Sequence, residues 1–400
     1  MASLGNMPRL SYRAARDEQD QQTFLEITAR SFGFPLAGLS EWLSGIGREN
    51  LRFVEEKGVA RGALALLPMG QWFGGRCVPM CGIAAVGIEP EVRALGVGKA
   101  LMEGALRECG DRGLMLSTLY PATTAFYRKC GYELAGTRYE MRVALSALRG
   151  KRAPLTIRRG DAKDEPAMRA LYAQQAARSP GHLARHEYIW GRVKRWREEV
   201  RELYLFEHGK ELAGYCWLAR RRNEQNRQDV FLSDFVCASR EAAETLVALL
   251  ASHRSLADGA SWFGRDDDAL FLTLEEAVAP HLTVKLSMPW MTRMIDAPGA
   301  LEARGYSPAL SATLGFELSD PLLAHNRGRF RLRVEKGRAK VEKGGRGDLK
   351  LDVRALSALF TGQFSASTLA SASRIEGSDG AIALADGIFA GPAPAMPDMF

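Results

Sequence analysis

Two stretches of the chain begin alike, and this repetition limits the possible folds more than any other feature. Residues 10–20 read LSYRAARDEQD and residues 155–165 read LTIRRGDAKDE: a short alternating strand, an arginine, a small residue, then a polar helix start. Further along, FVEEKGVARGALALL (53–67) is echoed by YLFEHGKELAGYCWLA (204–219), strand, glycine turn, strand. Repetition at this spacing implies two copies of one α/β unit. The fold class expected is α/β (α+β), with residues 1–150 and 151–288 as the two copies. Past residue 289 the texture changes. MTRMIDAPGALEARGY (291–306) reads as a helix entry carrying Pro298, and RFRLRVEKGRAKVE (329–342) alternates with period two on either side of Gly337, the pattern of a hairpin. Residues 289–400 are therefore expected to form a third, smaller α+β domain.

The two copies diverge at one junction. In the first, CGIAAVGIEPEVRALGVGKALMEGALRECG (81–110) starts as an apolar strand that Glu89-Pro90 stops. From Lys99 onward, Leu101, Met102, Ala105, Leu106 and Cys109 fall on one helical face. Between strand and helix lies RALGVG (93–98). A loop of this kind points unpaired backbone N–H groups and the positive end of the helix dipole at one spot, which suits a pyrophosphate, and its glycines let the backbone approach closely. Neither GxGxxG nor GxxxxGK[ST] is present, so this is neither a dinucleotide fingerprint nor a P-loop. The second copy continues FLSDFVCASREAAETLVALLASH (231–253) with no glycine between strand and helix, and reads as structural.

About thirty residues after the loop, GLMLSTLYPATTAFYRKCGYELAG (113–136) reads as a strand, a short helix ending at Gly131 and another strand, with Tyr127 on the helix. R-x-x-G-x-G after an apolar strand, followed at this distance by F-Y-x-x-x-G-Y, resembles the GNAT superfamily of N-acetyltransferases. Tandem units of this kind before a sterol-carrier-like domain, together with WFGGRCVPMCGIAAVGIEPEVRALGVG (72–98), APGALEARGY (297–306) and a C-terminal aromatic, resemble the enhanced intracellular survival (Eis) family over essentially the whole chain. The resemblance implies acetyl-coenzyme A as co-substrate and direct attack by a primary amine in a ternary complex. Val86 and Ile88 would offer backbone groups to the pantetheine and thioester. Arg93, Ala94, Leu95, Gly96, Val97, Gly98 and Lys99 would form the pyrophosphate loop. Tyr127 matches the family's general acid, and Trp42 and Phe32 would line the acceptor pocket. A homo-hexamer is implied as well.

The last ten residues, GPAPAMPDMF, raise a question that the resemblance answers. Pro392, Pro394 and Pro397 stiffen the tail, and a buriable aromatic is its last residue, whereas ordinary termini fray. In Eis-like proteins the third domain folds back and places the terminal carboxylate in the active site of the first, so Phe400 would be the catalytic base. Relatives that acetylate aminoglycosides carry acidic residues around the amine pocket. Here Met399 precedes Phe400 and residues 31–40 contain no acid, with Glu41 and Asp398 nearby in sequence. A less acidic pocket should bind a polycation less well, so acetyl transfer is implied while aminoglycosides as acceptors stay open.

Composition excludes several other classes. The chain has 46% hydrophobic and 25% charged residues and a net charge of +7, and its charges are intermixed as in KRWREEVRE (194–202), with no basic tract interleaved with aromatics of the kind nucleic acid would need. No signal-peptide core and no run of about eighteen apolar residues is found, which predicts a cytoplasmic protein with no membrane partner. Six cysteines are scattered without a CxxC pair, and His182 and His186 lack a third ligand, so no metal is expected. Two alternatives to an acetyltransferase remain from the sequence: a lipid carrier acting through the C-terminal domain, and a regulatory module with a dead transferase core.

Overall fold

The computed structural model describes residues 10–33, 35–36, 45–196 and 198–400. Its largest element is a 13-stranded sheet that runs through both repeats. The repeats are not two closed units. The strand Leu282–Met294 pairs antiparallel with Leu116–Leu119 on one side and with Glu133–Ala144 on the other, so the last strand of the second repeat is inserted into the sheet of the first. Glu133–Ala144 in turn pairs with Ala257–Gly264 of the second repeat. The burial of the inserted strand follows from its position: Trp290 to Met294, centred on Met291 and Thr292, which pair on both sides, is buried throughout, whereas Val284 and Leu286, paired on one side, are exposed. The boundary expected between residues 288 and 289 lies inside this strand.

Side chains alternate across the sheet and separate two cores. On the strand Arg76–Ile88, Cys81 and Ile83 join Leu101, Met102, Ala105, Leu106 and Cys109 of the helix Val97–Asp111, the face expected from the sequence. Val78, Met80 and Ala84 face the other way, toward Phe24 and Ile27 of the helix Glu18–Phe32. That helix begins where Asp17 caps the amide of Asp20 and ends at Gly33, whose φ of +69° is the usual left-handed stop.

The third domain is a five-stranded sheet flanked by helices. Its core, including Leu314, Phe330, Leu356, Phe360 and Phe389, is continuous with the second of these two cores. Phe360 meets Phe73 of the first repeat edge-on at 5.1 Å. The expected hairpin is present as Gly328–Glu335 and Arg338–Lys343. Lys336 and Gly337, at φ +50° and +76°, make the tight turn that right-twisted strands require. The expected helix entry is present at Ala297–Ala303, capped by Asp296 with Pro298 in its first turn.

One ion pair ties this domain to the inserted strand. Arg293 Nη2 meets Asp320 Oδ1 at 2.7 Å with both side chains fully buried, and the same carboxylate accepts from Asn326 and from the amides of Leu322 and Leu323. Burial opposes ionisation of Asp320, but the Arg293 guanidinium outweighs it and holds the carboxyl below its ordinary value. Arg293→Met leaves the carboxylate buried and uncompensated, which costs about 3–5 kcal/mol. The expected outcome in urea titration is a lowered unfolding midpoint for the variant. Because the native value is depressed, the pair's contribution is present above the ordinary aspartate pKa of about 3.9 and is lost as pH falls below it; the variant's midpoint should therefore approach that of the parent in strong acid.

Candidate active site

The site is built where two parallel strands part. Arg76–Ile88 pairs with Leu116–Leu119 through Met80–Leu116, Cys81–Ser117 and Gly82–Thr118, and there the ladder stops while Arg76–Ile88 continues for six residues. A bulge bends the strand just beyond. Opposite Val59–Phe73, Ala63 pairs with Gly87 and Ala65 with Ala84, so three steps on one strand match two on the other, and Ala85 is pushed to φ +50°. Among the described residues, no strand pairs with the edge at Val86 and Ile88 on that side.

The loop after this strand bears out its reading as a helix opening. Ala94 and Gly96 have φ of +64° and +90°, and residues 93–96 are exposed. Gly96 caps the helix Val97–Asp111 with no side chain closing its first turn. The amides of Val97, Gly98 and Lys99 have no partner within the helix by geometry, and the dipole's positive end lies with them. At the corresponding place in the second repeat Ser239 caps Arg240–Ser252 by accepting from Ala242 N. The two glycines differ in what they need. A Cβ at Gly96 would meet nothing within 4 Å, so its role is the left-handed turn; at Gly98 it would lie 3.1 Å from the Phe126 ring. Gly98 thus lets the loop helix pack on the short helix Thr124–Lys129, which bears Phe126 and Tyr127.

Tyr127 is 6% exposed, packed by Phe126 and Tyr132 at ring distances of 5.0 and 6.0 Å. Burial, reinforced by Cys130, pushes its phenol up to about 12. It shares a core with Val86, Ile88 and Val97 on the loop-helix face of the sheet.

Phe400 arrives on the opposite face. A Cβ at Gly82, the last residue paired before the strands part, would lie 2.8 Å from the Phe400 ring, so glycine there makes the seat. The Tyr120 ring flanks Phe400 at 5.9 Å, and its hydroxyl lies 3.1 Å from Met396 O and 2.7 Å from Asp398 O. Upstream, Thr137 N donates to Pro394 O, Met396 N to Thr137 O, Ala395 N to Pro180 O, and Arg138 Nε to Pro397 O. The tail is docked like an added strand. Asp398, an acid that the sequence left near the amine pocket, is instead paired with Arg185 at 2.9 Å. Phe32 sits 40% exposed at the end of the helix Glu18–Phe32, whose Phe24 and Ile27 share a core with Phe400; Trp42 and Glu41 lie outside the described residues.

Sequence reasoning missed Gly82 and Tyr120. A glycine inside an apolar strand is a signal of close approach, but Tyr120 had none that set it apart from core tyrosines. Burial drops His182 to about 3, and His186 Nδ1 accepts from Tyr188 N. Among the described residues no cluster of metal-ligating side chains is found, and no helix is long and apolar enough to cross a membrane. A cavity of about 1160 Å³ lies apart from the loop, in the second repeat between Phe235, Trp262 and Val247.

Comparison with known proteins finds both repeats and the third domain. Two acetyltransferase (GNAT) domain models match residues 11–135 and 181–294, and a sterol carrier protein domain model matches residues 297–397. A crystallised GCN5-related N-acetyltransferase from Anabaena variabilis is 36% identical, with a TM-score of 0.94, covering 98% of this chain and 100% of that one. The chain belongs to the GCN5-related N-acetyltransferases. It is Eis-like: N-acetyltransferase Eis of Mycobacterium tuberculosis is 25% identical over 319 residues, 76% of this chain and 75% of that protein. An N-acetyltransferase of Streptomyces griseus is 28% identical over 351 residues, 82% of this chain and 83% of that one. Eis1 of Mycobacterium abscessus shares the fold, with a TM-score of 0.80 at 21% identity over 98% of this chain and 100% of that one.

The seat of the tail in this Eis-like transferase can be tested without an activity assay. Gly82→Val places carbon where the Phe400 ring lies. Carboxypeptidase is expected to release phenylalanine from the folded variant at least tenfold faster than from the parent, and equal rates would show that the ring is not seated on Gly82.

Proposed function

We propose that this GNAT enzyme is an acetyl-coenzyme A-dependent N-acetyltransferase acting on a primary amine by direct attack in a ternary complex. The observation that carries the reading is the parted strand pair with an uncapped helix N-terminus at its mouth, Tyr127 on one face and Phe400 on the other. The first-turn amides of Val97–Asp111, with Arg93 and Lys99 beside them, suit a pyrophosphate. The strand edge at Val86 and Ile88 suits an extended amide chain laid alongside it. Acetyl-coenzyme A would supply an activated acetyl thioester.

The residues then divide the proton work. Tyr127, kept protonated by burial, gives its proton to the departing thiolate. The Phe400 α-carboxylate takes the proton of the attacking amine, directly or through water. A lysine-like amine near pKa 10 and a free α-carboxyl near 3.5 differ by about 6.5 units, or about 9 kcal/mol, so a dry site and close placement are required of the pair. Among the described residues no lysine, arginine or histidine forms an ion pair with that carboxylate, which leaves it to the amine. Arg185 and Arg138 together offset Asp398 and Asp234, which leaves no surplus of negative charge beside the tail, so a monoamine suits this pocket better than a polycation.

Gly96→Asp places a negative charge at the anion cradle where no neighbour obstructs a side chain, and aspartate tolerates the left-handed turn. Calorimetry is expected to show one acetyl-coenzyme A per chain in the parent and none in this variant; normal binding by the folded variant would remove the loop assignment. Gly98→Glu would not serve, since it also breaks packing on Phe126.

For catalysis, Tyr127→Phe should lower kcat about 10²- to 10⁴-fold with little change in cofactor affinity. Because the Tyr127 phenol sits at about 12, the parent's rate should rise with pH as the amine deprotonates and show no falling limb up to pH 10. Deleting Phe400 retracts the carboxylate by about 3.4 Å and should nearly abolish thiol release while leaving cofactor binding intact. Light scattering at micromolar concentration tests the hexamer that the family resemblance implies.

A further inference from the structure

The second repeat lacks the phosphate loop, yet it supplies the most deeply buried cation of the tail's dock. Arg185 follows the two-residue strand Leu183–Ala184, which pairs with Gln71 and Gly70 of the first repeat. The segment is fixed further by Gly181 N to Trp72 O, Trp72 N to His182 O and Gln71 Nε2 to Gly181 O, all between 2.8 and 2.9 Å. From this platform Arg185 donates through Nε to Asp398 Oδ2 at 2.9 Å and through both terminal nitrogens to Asp234 at 2.7 and 2.8 Å. Tyr215 donates to Asp234 at 2.7 Å, and the guanidinium lies over the rings of Tyr172 and Trp190 at 3.8 and 4.7 Å. The side chains of Arg185, Asp234 and Asp398 are 1%, 7% and 5% exposed.

This geometry does more than hold two domains together. Asp398 is the last tail residue gripped by side-chain hydrogen bonds, through its carboxylate by Arg185 and through its carbonyl by Tyr120. Beyond it stand Met399, at the exposed edge, and Phe400, whose ring rests on Gly82 and beside Tyr120. Two residues reach at most about 7 Å. A buried, charge-assisted contact at that distance, made by a guanidinium whose own fork is fixed on Asp234, limits where the last two residues can lie.

We propose that Arg185 is a positioning residue for acetyl transfer: by holding Asp398 it fixes the chain two residues before Phe400, and so decides where the terminal carboxylate stands at the parted strands. The second repeat thereby contributes to catalysis in the first without touching a reactant. The inference rests on the reading of the Phe400 carboxylate as base. A displacement of about 1 Å, enough to cost around 10²-fold in rate, should result from loss of this contact alone.

Two variants separate anchoring from folding. Asp398→Ala removes the anchor while leaving Arg185 balanced against Asp234, so the fold keeps its buried pair; Arg185→Gln removes the cation and leaves two carboxylates. With acetyl-coenzyme A and a monoamine, Asp398→Ala is expected to lower kcat on the order of 10²-fold, with cofactor affinity within error of the parent and a folded protein whose thermal midpoint falls by only a few degrees. Arg185→Gln should lose at least as much, and Arg185→Lys should recover part of it. In protein already lacking Phe400, Asp398→Ala should slow the residual rate no further, because both changes act through one carboxylate. Full turnover by Asp398→Ala, in a protein that loses activity when Phe400 is deleted, overturns this inference and leaves the base intact. An equal loss from Asp398→Ala with and without Phe400 also overturns it, since the contact would then act elsewhere. Full turnover after Phe400 deletion overturns the base and this inference together.

Discussion

The structure depends on a parallel ladder that is broken off. Three pairs join Arg76–Ile88 to Leu116–Leu119, and past Gly82, among the described residues, the longer strand has no paired strand on that side. Unpaired strand edges are costly when buried and are normally covered. Here the bulge at Ala85 turns the strand away, the inserted strand Leu282–Met294 occupies the far side of Leu116–Leu119, and the gap between is left for chain or ligand. On one face Tyr127 and the loop helix share a core with Val86 and Ile88, and on the other the Phe400 ring rests at Gly82.

In the proposed function all three domains contribute to one site. The first repeat supplies the gap, the loop and Tyr127. The inserted strand and the Arg293–Asp320 pair lock the third domain against the sheet, so the tail leaves from a fixed point. The second repeat shares the sheet through Glu133–Ala144 and receives the tail at Pro180 and Arg185. The prolines have a physical role in this arrangement. A tail already restricted in φ loses less entropy on docking, so a handful of hydrogen bonds can hold it.

What the sequence made legible was local. The loop, its helix and Tyr127 lie within about forty residues of one another, and glycine, apolar period and turn chemistry signal each of them directly. The hairpin at Gly337 and the helix after Asp296 were legible for the same reason. The tail was legible as an oddity, and family resemblance gave it a destination. The insertion of Leu282–Met294 between two earlier strands left no mark in its own residues, since a buried apolar strand reads the same wherever it pairs. Nor did Arg185, whose partner Asp398 is 213 residues away; a lone arginine before a histidine looks like surface until the fold brings its carboxylates.

The central claim is that the α-carboxylate of Phe400, held at the parted strands, removes the proton of the attacking amine. The most direct measurement replaces that carboxylate with a carboxamide by semisynthesis, which keeps the ring on Gly82 and the tail's hydrogen bonds to Tyr120, Thr137, Arg138 and Arg185 while removing only the basic oxygen. Single-turnover acetyl transfer to a monoamine, followed by thiol release, should then fall by at least 10²-fold, with acetyl-coenzyme A binding unchanged. Transfer at the parental rate by the carboxamide would contradict the account, and the docked tail would be a structural plug.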